Sequence, residues 1–202
     1  MPSKVILPLA LAFALSGCIM WDAGYTENKP VSRYDVPDSD KLPITYSVTL
    51  KTERDDVFAL PDTKSLSAKI EDALMETGVF SKVTPGAPGG PEPYHVDFSF
   101  HQAGVDAEQS LAVGTIATYT SMSVPTGEVF TFDGSAVLSF HGKPVCSTAR
   151  AEEMRSLIWL PIAPLGLVLN SWTAWYFVET GSVNALCDAV AKDVRSSRRK
   201  EG

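Results

Sequence analysis

Motifs that would announce a catalyst are what this chain lacks. It has no Gly-x-Ser-x-Gly to present a serine nucleophile, no phosphate-cradling glycine loop and no His-Glu-x-x-His pair for zinc. Its glycine-rich stretch, Gly86 to Pro91, is interrupted by proline and so lacks the run of amides that holds an anion. Basic residues are also short. Lys and Arg number 17 against 24 Asp and Glu, for a net charge of −7. Phosphate contacts need clustered cations, which argues against a nucleic-acid partner. The one basic cluster, Arg195, Arg198, Arg199 and Lys200, lies near the C-terminus. No repeat of fixed period runs through the chain.

What is there begins at the N-terminus. A short start carrying Lys4 leads into an apolar run, Val5 to Leu15, and then small residues ending on a cysteine. That is the layout of a secretory signal peptide. Leu15-Ser16-Gly17-Cys18 resembles the bacterial lipobox, which implies cleavage before Cys18 and acylation of its thiol and new amine. The alternatives are an ordinary signal with an accidental cysteine, or an N-terminal membrane helix. The run is short for a span of about 20 residues, and Pro8 interrupts it. Residue 19 is Ile, not Asp. By resemblance to enterobacterial lipoproteins this implies export to the outer membrane. Loss of residues 1–17 leaves 185 of 202 residues and removes only Lys4 among charges, taking the net charge from −7 to −8. That length suits one domain plus a tether.

Lipidation would consume Cys18 and leave Cys146 and Cys187, an even pair in an oxidising compartment. A bridge closing this loop of about 40 residues would contribute roughly 4 kcal/mol in the chain-entropy picture. The alternative is two separate buried thiols acting as small apolar side chains.

Residues 18–42 are polar, carry Pro30 and Pro37 and show no period, which predicts a flexible lipidated tether. The domain, 43–202, opens with strict alternation: Ile44, Tyr46, Val48 and Leu50 against Thr45, Ser47, Thr49 and Lys51. Pro61-Asp62-Thr63 then starts a helix whose apolar face is Leu66, Ile70, Ala73 and Leu74, stopped by Gly78. Val79 to Val83 reads as a short strand, and Thr84 to Pro93, with four prolines and three glycines, as coil. In a third strand Tyr94, Val96, Phe98 and Phe100 share one face; His95, Asp97, Ser99 and His101 share the other. Residues Ser110 to Val124 fit helix or strand. Glu128 to Phe140 and Val145 to Met154 flank the turn His141-Gly142-Lys143-Pro144 as a hairpin, and a last helix runs near Ser182 to Arg195. This order predicts an α+β domain: a mostly antiparallel sheet of about five strands with helices on one face.

Ala73-Leu74-Met75-Glu76-Thr77-Gly78-Val79-Phe80-Ser81-Lys82-Val83 resembles a pattern of envelope lipoproteins with a domain like the N-terminal domain of TolB. Penicillin-binding-protein activator lipoproteins and the curli-secretion lipoprotein CsgG have similar domains. The resemblance implies that fold, and the binding of proteins rather than chemistry; it carries over no catalytic residue.

Leu157 to Val178 is 22 residues without a charge, about 33 Å as a helix. Trp159, Trp172, Trp175 and Tyr176 stand near its ends like an aromatic belt. Pro161, Pro164, Gly166 and Asn170 oppose a clean span. Three readings stay open: an inserted helix, a buried or membrane-resting segment, or a surface for a partner built from Trp159, Leu160, Leu165, Leu167, Trp172, Trp175, Tyr176 and Phe177.

Candidate chemistry is thin. His95, Asp97 and His101 lie on one face of a strand, as weak metal ligands or as its solvent-facing side. Cys146 near His141 has the components of a thiolate nucleophile, but structural use of Cys146 is the better reading. The sequence therefore describes a non-catalytic, outer-membrane lipoprotein facing the periplasm. It would be held by its N-terminal lipid and bind or support another envelope protein, with no cofactor, small-molecule substrate or nucleic acid. The alternatives are an integral (inner-membrane) component of an export or assembly machine with 157–178 inserted, and a metal-dependent periplasmic enzyme.

Overall fold

The computed structural model describes residues 18–22, 29–52, 62–104, 112, 115–116, 126–158 and 171–201. The strands are β1 (Cys18–Asp22), β2 (Leu42–Thr52), β3 (Phe80–Pro85), β4 (Tyr94–Ala103), β5 (Thr126–Phe140) and β6 (Lys143–Ile158). The helices are α1 (Thr63–Glu76) and α2 (Ser171–Glu201). The chain divides into two compact units. The larger holds residues 26–102, 132–152 and 177–202; the smaller holds 1–25, 103–131 and 153–176.

In the larger unit five strands run in the order β6-β5-β4-β2-β3. The sheet is mixed, which corrects the mostly antiparallel expectation. β2 is parallel to both its neighbours, with Ile44 opposite Val83 of β3 and Tyr94 of β4. The first parallel pair follows from the β2-α1-β3 connection. The second arises because the coil after β3 returns across β2: Pro85 lies level with Tyr46, and Tyr94 level with Ile44. The Gly86 amide still donates to the Tyr46 carbonyl at 2.9 Å, so the coil leaves β3 along β2 and not as a hairpin. β4 and β5 are antiparallel, since His141 N bonds Pro93 O while Ser135 Oγ bonds Ser99 O. β5 and β6 form the expected hairpin. His141 (φ 48°) and Gly142 (φ 75°) both take the left-handed conformation that a two-residue turn of this hand requires.

One face of the sheet carries the core. Ile44, Tyr46, Val96, Phe98, Phe100, Phe132, Ala136 and Leu138 are buried there. α1 covers β2 and β3 through Leu66, Ile70, Ala73 and Leu74, the four residues the sequence places on its apolar face. Asp62 caps the helix by accepting from the Ser65 amide at 2.6 Å. α2 buries Val183, Leu186, Cys187, Val190 and Val194, as expected. A Cβ on Gly134 would stand 3.0 Å from Leu186 Cδ1 and 3.1 Å from Phe100 Cε1, so a bare backbone at 134 lets α2 approach the sheet. Lys69 and Glu179 join the helices at 2.9 Å. Burial pushes the Glu179 carboxyl above its ordinary range, with Lys69 opposing.

Residues 29–41, expected within a flexible tether, are instead strapped to this unit. Val31 is buried. Tyr34 N donates to Thr77 O at 2.8 Å, and Asn184 Nδ2 to Lys29 O at 3.2 Å. Asp188 Oδ1 accepts from Ser32 N and from Tyr34 Oη, and the Arg195 guanidinium sits 4.2 Å over the Tyr34 ring.

In the smaller unit β1 pairs antiparallel with the last five residues of β6, from Cys18 opposite Ile158 to Asp22 opposite Met154. This strand too lies in the segment expected to be tether. The apolar run is not one helix. Leu157 and Ile158 end β6, residues 171–178 begin α2, and residues 159–170 lie outside the described residues. No helix among the described residues is long and apolar enough to cross a membrane. Most of Ser110 to Val124 also lies outside them.

Candidate functional site

The β1/β6 ladder sets the position of Cys18, the residue expected to carry lipid. Cys18 is the first residue of β1, and its Cα partner is Ile158, the last residue of β6. The ladder carries its charged residues at one end only. Asp22 pairs with Met154 and Trp21 with Arg155, whereas Ile19 pairs with Leu157 and Cys18 with Ile158. Arg155 Nε bonds Glu153 Oε1 at 2.8 Å, so the charged end is also bridged along β6.

β1 covers only residues 154–158 of β6. Among the described residues no strand lies beyond residues 143–152, and positions 141–151 are mostly exposed, Val145 at 48%. An edge of this length presents unpaired backbone groups to a second extended segment. Lys143, Pro144 and Arg150 blunt its two ends, leaving Val145 to Ala149 uncharged.

The metal candidates resolve differently. His95, expected on a solvent face, is 3% exposed. It is opposite Thr45 in the central β2/β4 pair, where parallel strands are covered on both faces. Its Nδ1 lies 2.9 Å from Thr45 Oγ1 and its Nε2 2.9 Å from Asp97 Oδ1. Ser47 Oγ donates to the same carboxylate. Burial alone would raise the Asp97 pKa, but bonds from Ser47 and His95 outweigh it and hold the carboxyl below its usual range. Both imidazole nitrogens are thus engaged by protein groups. His101 is opposite Lys51, four residues and about 13 Å along the strand from Asp97. The structure therefore brings His95 and Asp97 together and leaves His101 apart. No group of three His, Cys, Asp or Glu that could hold a metal occurs among the described residues.

The two cysteines are not joined. Cys187 is a buried free thiol inside α2, and Cys146 a half-buried free thiol on β6. Cys146 lies beside Asp193, a turn and a half along α2 from Cys187, and that carboxylate raises its pKa. Burial raises Cys187. Both shifts oppose the thiolate form. The His141 ring packs on Phe140, 4.3 Å between centroids.

Of the residues singled out in the apolar run, Trp159, Leu160, Leu165 and Leu167 lie outside the described residues, while Trp172, Trp175, Tyr176 and Phe177 belong to the first two turns of α2. Tyr176 is 54% exposed. The strap residues Ser32 and Tyr34, with their acceptor Asp188, are not legible as a set in the sequence. They are more than 150 positions apart and follow no period.

No family model matches the chain, and no curated protein does. Among solved structures it is similar to a variant PelC dodecamer from Paraburkholderia phytofirmans, at 11% identity and a TM-score of 0.38, covering 86% of this chain and 98% of that one. It is similar to rare lipoprotein B from Shewanella oneidensis at 11% identity and a TM-score of 0.36, covering 76% and 96%. A minor lipoprotein from Acinetobacter baumannii matches at 7% identity and a TM-score of 0.36, covering 77% and 94%. These similarities are too low to carry function or assembly to this chain. A specific resemblance to TolB or CsgG is not among them.

Proposed function

We propose that the protein is a non-catalytic lipoprotein of the bacterial envelope, anchored through acyl chains on Cys18, with its folded units facing the periplasm. The observation that carries the reading is the lipobox-like Leu15-Ser16-Gly17-Cys18 closing the apolar run Val5 to Leu15. Ile19 in place of Asp favours the outer membrane. The role is to bind another envelope protein, and the β6 edge at 143–151, beyond which no strand lies among the described residues, supports it. A partner's extended segment can add there by main-chain hydrogen bonds, with Val145 and its uncharged neighbours giving side-chain contact. Both ring nitrogens of His95 are bonded within the protein, to Thr45 and Asp97, which supports a structural use of that pair.

The test places a photo-crosslinking residue at Val145 or at Ser147 in living cells, with the same residue at exposed Lys64 of α1 as control. One envelope protein trapped from both edge positions and not from Lys64 is the expected result. Reproducible absence of any adduct at the edge refutes the binding role. Mass analysis of the purified chain must show diacylglycerol on Cys18; an unmodified thiol there refutes the anchor.

A further inference from the structure

The β6 edge proposed above as a docking site is complementary to its own reverse. β1 covers residues 154–158 of β6, and among the described residues no strand lies beside residues 143–151. Lys143, Val145, Ser147, Ala149 and Ala151 are exposed at alternate positions, while Cys146 and Thr148 between them are half-buried. The centre, Val145 to Ala149, carries no charge. Lys143 stands at one end of the stretch, and Glu153, with a side chain 43% exposed, follows the other. The opposite edge of the sheet is built differently. β3 has only six residues and presents exposed Lys82 and Pro85, features that keep an edge from pairing.

Laid antiparallel to a second copy about Ser147, the midpoint of 143–151, this edge pairs without conflict. Ser147 stands opposite the same residue of the second copy, Val145 opposite Ala149, Cys146 opposite Thr148 and Lys143 opposite Ala151. No like charges face each other. Lys143 is then diagonal to Glu153 of the second copy, at about 7–8 Å and on the same strand face, within reach of a long side chain. The two-fold axis makes that pair twice. Pro144 has no amide and stands opposite Arg150, so the ladder forfeits at most one bond at each end. The turn residues His141 and Gly142 fall opposite Glu153 and Glu152, just short of Met154, where β1 begins. The second copy therefore fits the stretch that β1 leaves open. Such a contact is isologous and closes at two chains. It consumes the edge and leaves β3, with Lys82 and Pro85, on both outer sides of the joined sheet. Copies anchored by lipid in one leaflet are also confined to a plane, where a raised effective concentration lets a short ladder suffice.

Building on the binding role given above, we propose that the occupant of the β6 edge is a second copy of this chain. The two copies pair antiparallel through residues 143–151, with Lys143 of each against Glu153 of the other.

In the experiment, two full-length forms of the protein, told apart by different C-terminal epitope tags, are expressed together in living cells. One form carries a photo-crosslinking residue at Ser147, or at exposed Lys64 of α1 as control. The expected result is an adduct at Ser147 that carries both tags and has the mass of two chains, with none at Lys64. Lys143→Glu in both forms sets like charges across the two-fold axis and should lower the yield about fivefold. Lys143→Glu combined with Glu153→Lys in both forms exchanges the charges and should restore it. An adduct at Ser147 that joins one tag to a different envelope protein overturns the proposal and leaves the binding role intact. Equal two-tag yields at Ser147 and Lys64 report crowding in the membrane and overturn it as well. A two-tag yield unmoved by Lys143→Glu, or not recovered by the exchange, overturns the antiparallel register and the proposal with it. Reproducible absence of any adduct at Ser147 removes the binding role and this proposal together.

Discussion

Replacing Gly78 by Ala tests whether the strap over residues 29–41 is part of the fold or a loose leader. Gly78 ends α1 with φ +74°, a conformation that costs an L-residue about 1–2 kcal/mol. Its second constraint is particular to this protein. A Cβ at 78 would stand 2.6 Å from the Tyr34 carbonyl oxygen, which is main chain and cannot rotate away. Relief requires the strap to shift, and the strap is fixed there by Tyr34 N donating to Thr77 O at 2.8 Å. Losing that bond costs about 1 kcal/mol net, and lifting Val31 from its buried site costs about 1.5 kcal/mol more. Gly78→Ala should therefore destabilise by about 3.5–4.5 kcal/mol. Gly89 provides the control: it has φ +84° and nothing within 4 Å of the Cβ position, so Gly89→Ala carries the backbone term alone, about 1–2 kcal/mol. Urea unfolding of both variants gives the comparison. With m near 2 kcal/mol/M, the Gly78 variant should unfold about 1 M earlier than the Gly89 variant. Equal midpoints would show that the strap does not press on residue 78, and would refute the account of residues 29–41 given above.

Gly134→Ala should cost about 1–3 kcal/mol by driving Leu186 and Phe100 from their rotamers, and a compensating Leu186→Ala that fails to recover any of it in a double-mutant cycle would sever that link. Asp97 is held below its ordinary pKa in the fold, so its stabilising effect is complete above the unfolded value and is lost as pH falls through the folded one. The melting-temperature gap between the natural chain and Asp97→Asn should close on acidification, and a gap constant with pH counts against the Ser47–Asp97–His95 ladder. Glu179 has the opposite sign: its raised pKa makes the ionised form a burden that grows as pH rises through the folded value. Glu179→Gln should gain stability relative to the natural chain between acid and neutral pH, with parallel pH profiles as the refuting result. With Cys18 acylated, a thiol reagent should find Cys146 slowly in the native protein and Cys187 only after unfolding. No free thiol in unreduced denatured protein would restore the disulfide.

Much of the larger unit is legible in the sequence because its signals are local and periodic. The helix face Leu66-Ile70-Ala73-Leu74 and its stop at Gly78 need only a 3.6 period and one glycine, and the alternation at Tyr94 to Phe100 needs only a period of two. What escapes is everything decided between distant segments. Composition marks residues 86–93 as coil but cannot say whether the coil doubles back as a hairpin or crosses β2, and that choice gives β2 its second parallel neighbour. Alternation also places His95 and Thr45 in solvent. A centre strand with parallel neighbours on both sides loses that distinction, and Ile44, Thr45 and Tyr46 are buried in succession.

The strap and β1 escape for a common reason. Residues 29–41 attach through single polar groups, Ser32, Tyr34 and Asn184 to main chain or to Asp188, and such bonds leave no period in the sequence. Cys18 to Asp22 is five residues long, too few to show alternation, and its partner strand lies more than 130 positions away. Low hydrophobic periodicity suggests freedom to move. In this chain it marks segments whose order is imposed from outside, by β6 for residues 18–22 and by α1 and α2 for residues 29–41. The distinction bears on the proposed function, because Cys18, the proposed site of the lipid, begins a strand paired with β6, and residues 143–151 belong to that same strand. The proposed partner edge and the proposed anchor thus share one strand as their support. A crosslink at Val145 should therefore weaken in cells when β1 is unpaired by Met20→Pro, which removes a strand amide while leaving Cys18 in place. Equal crosslinking with and without that proline would show that the edge works independently of the anchor.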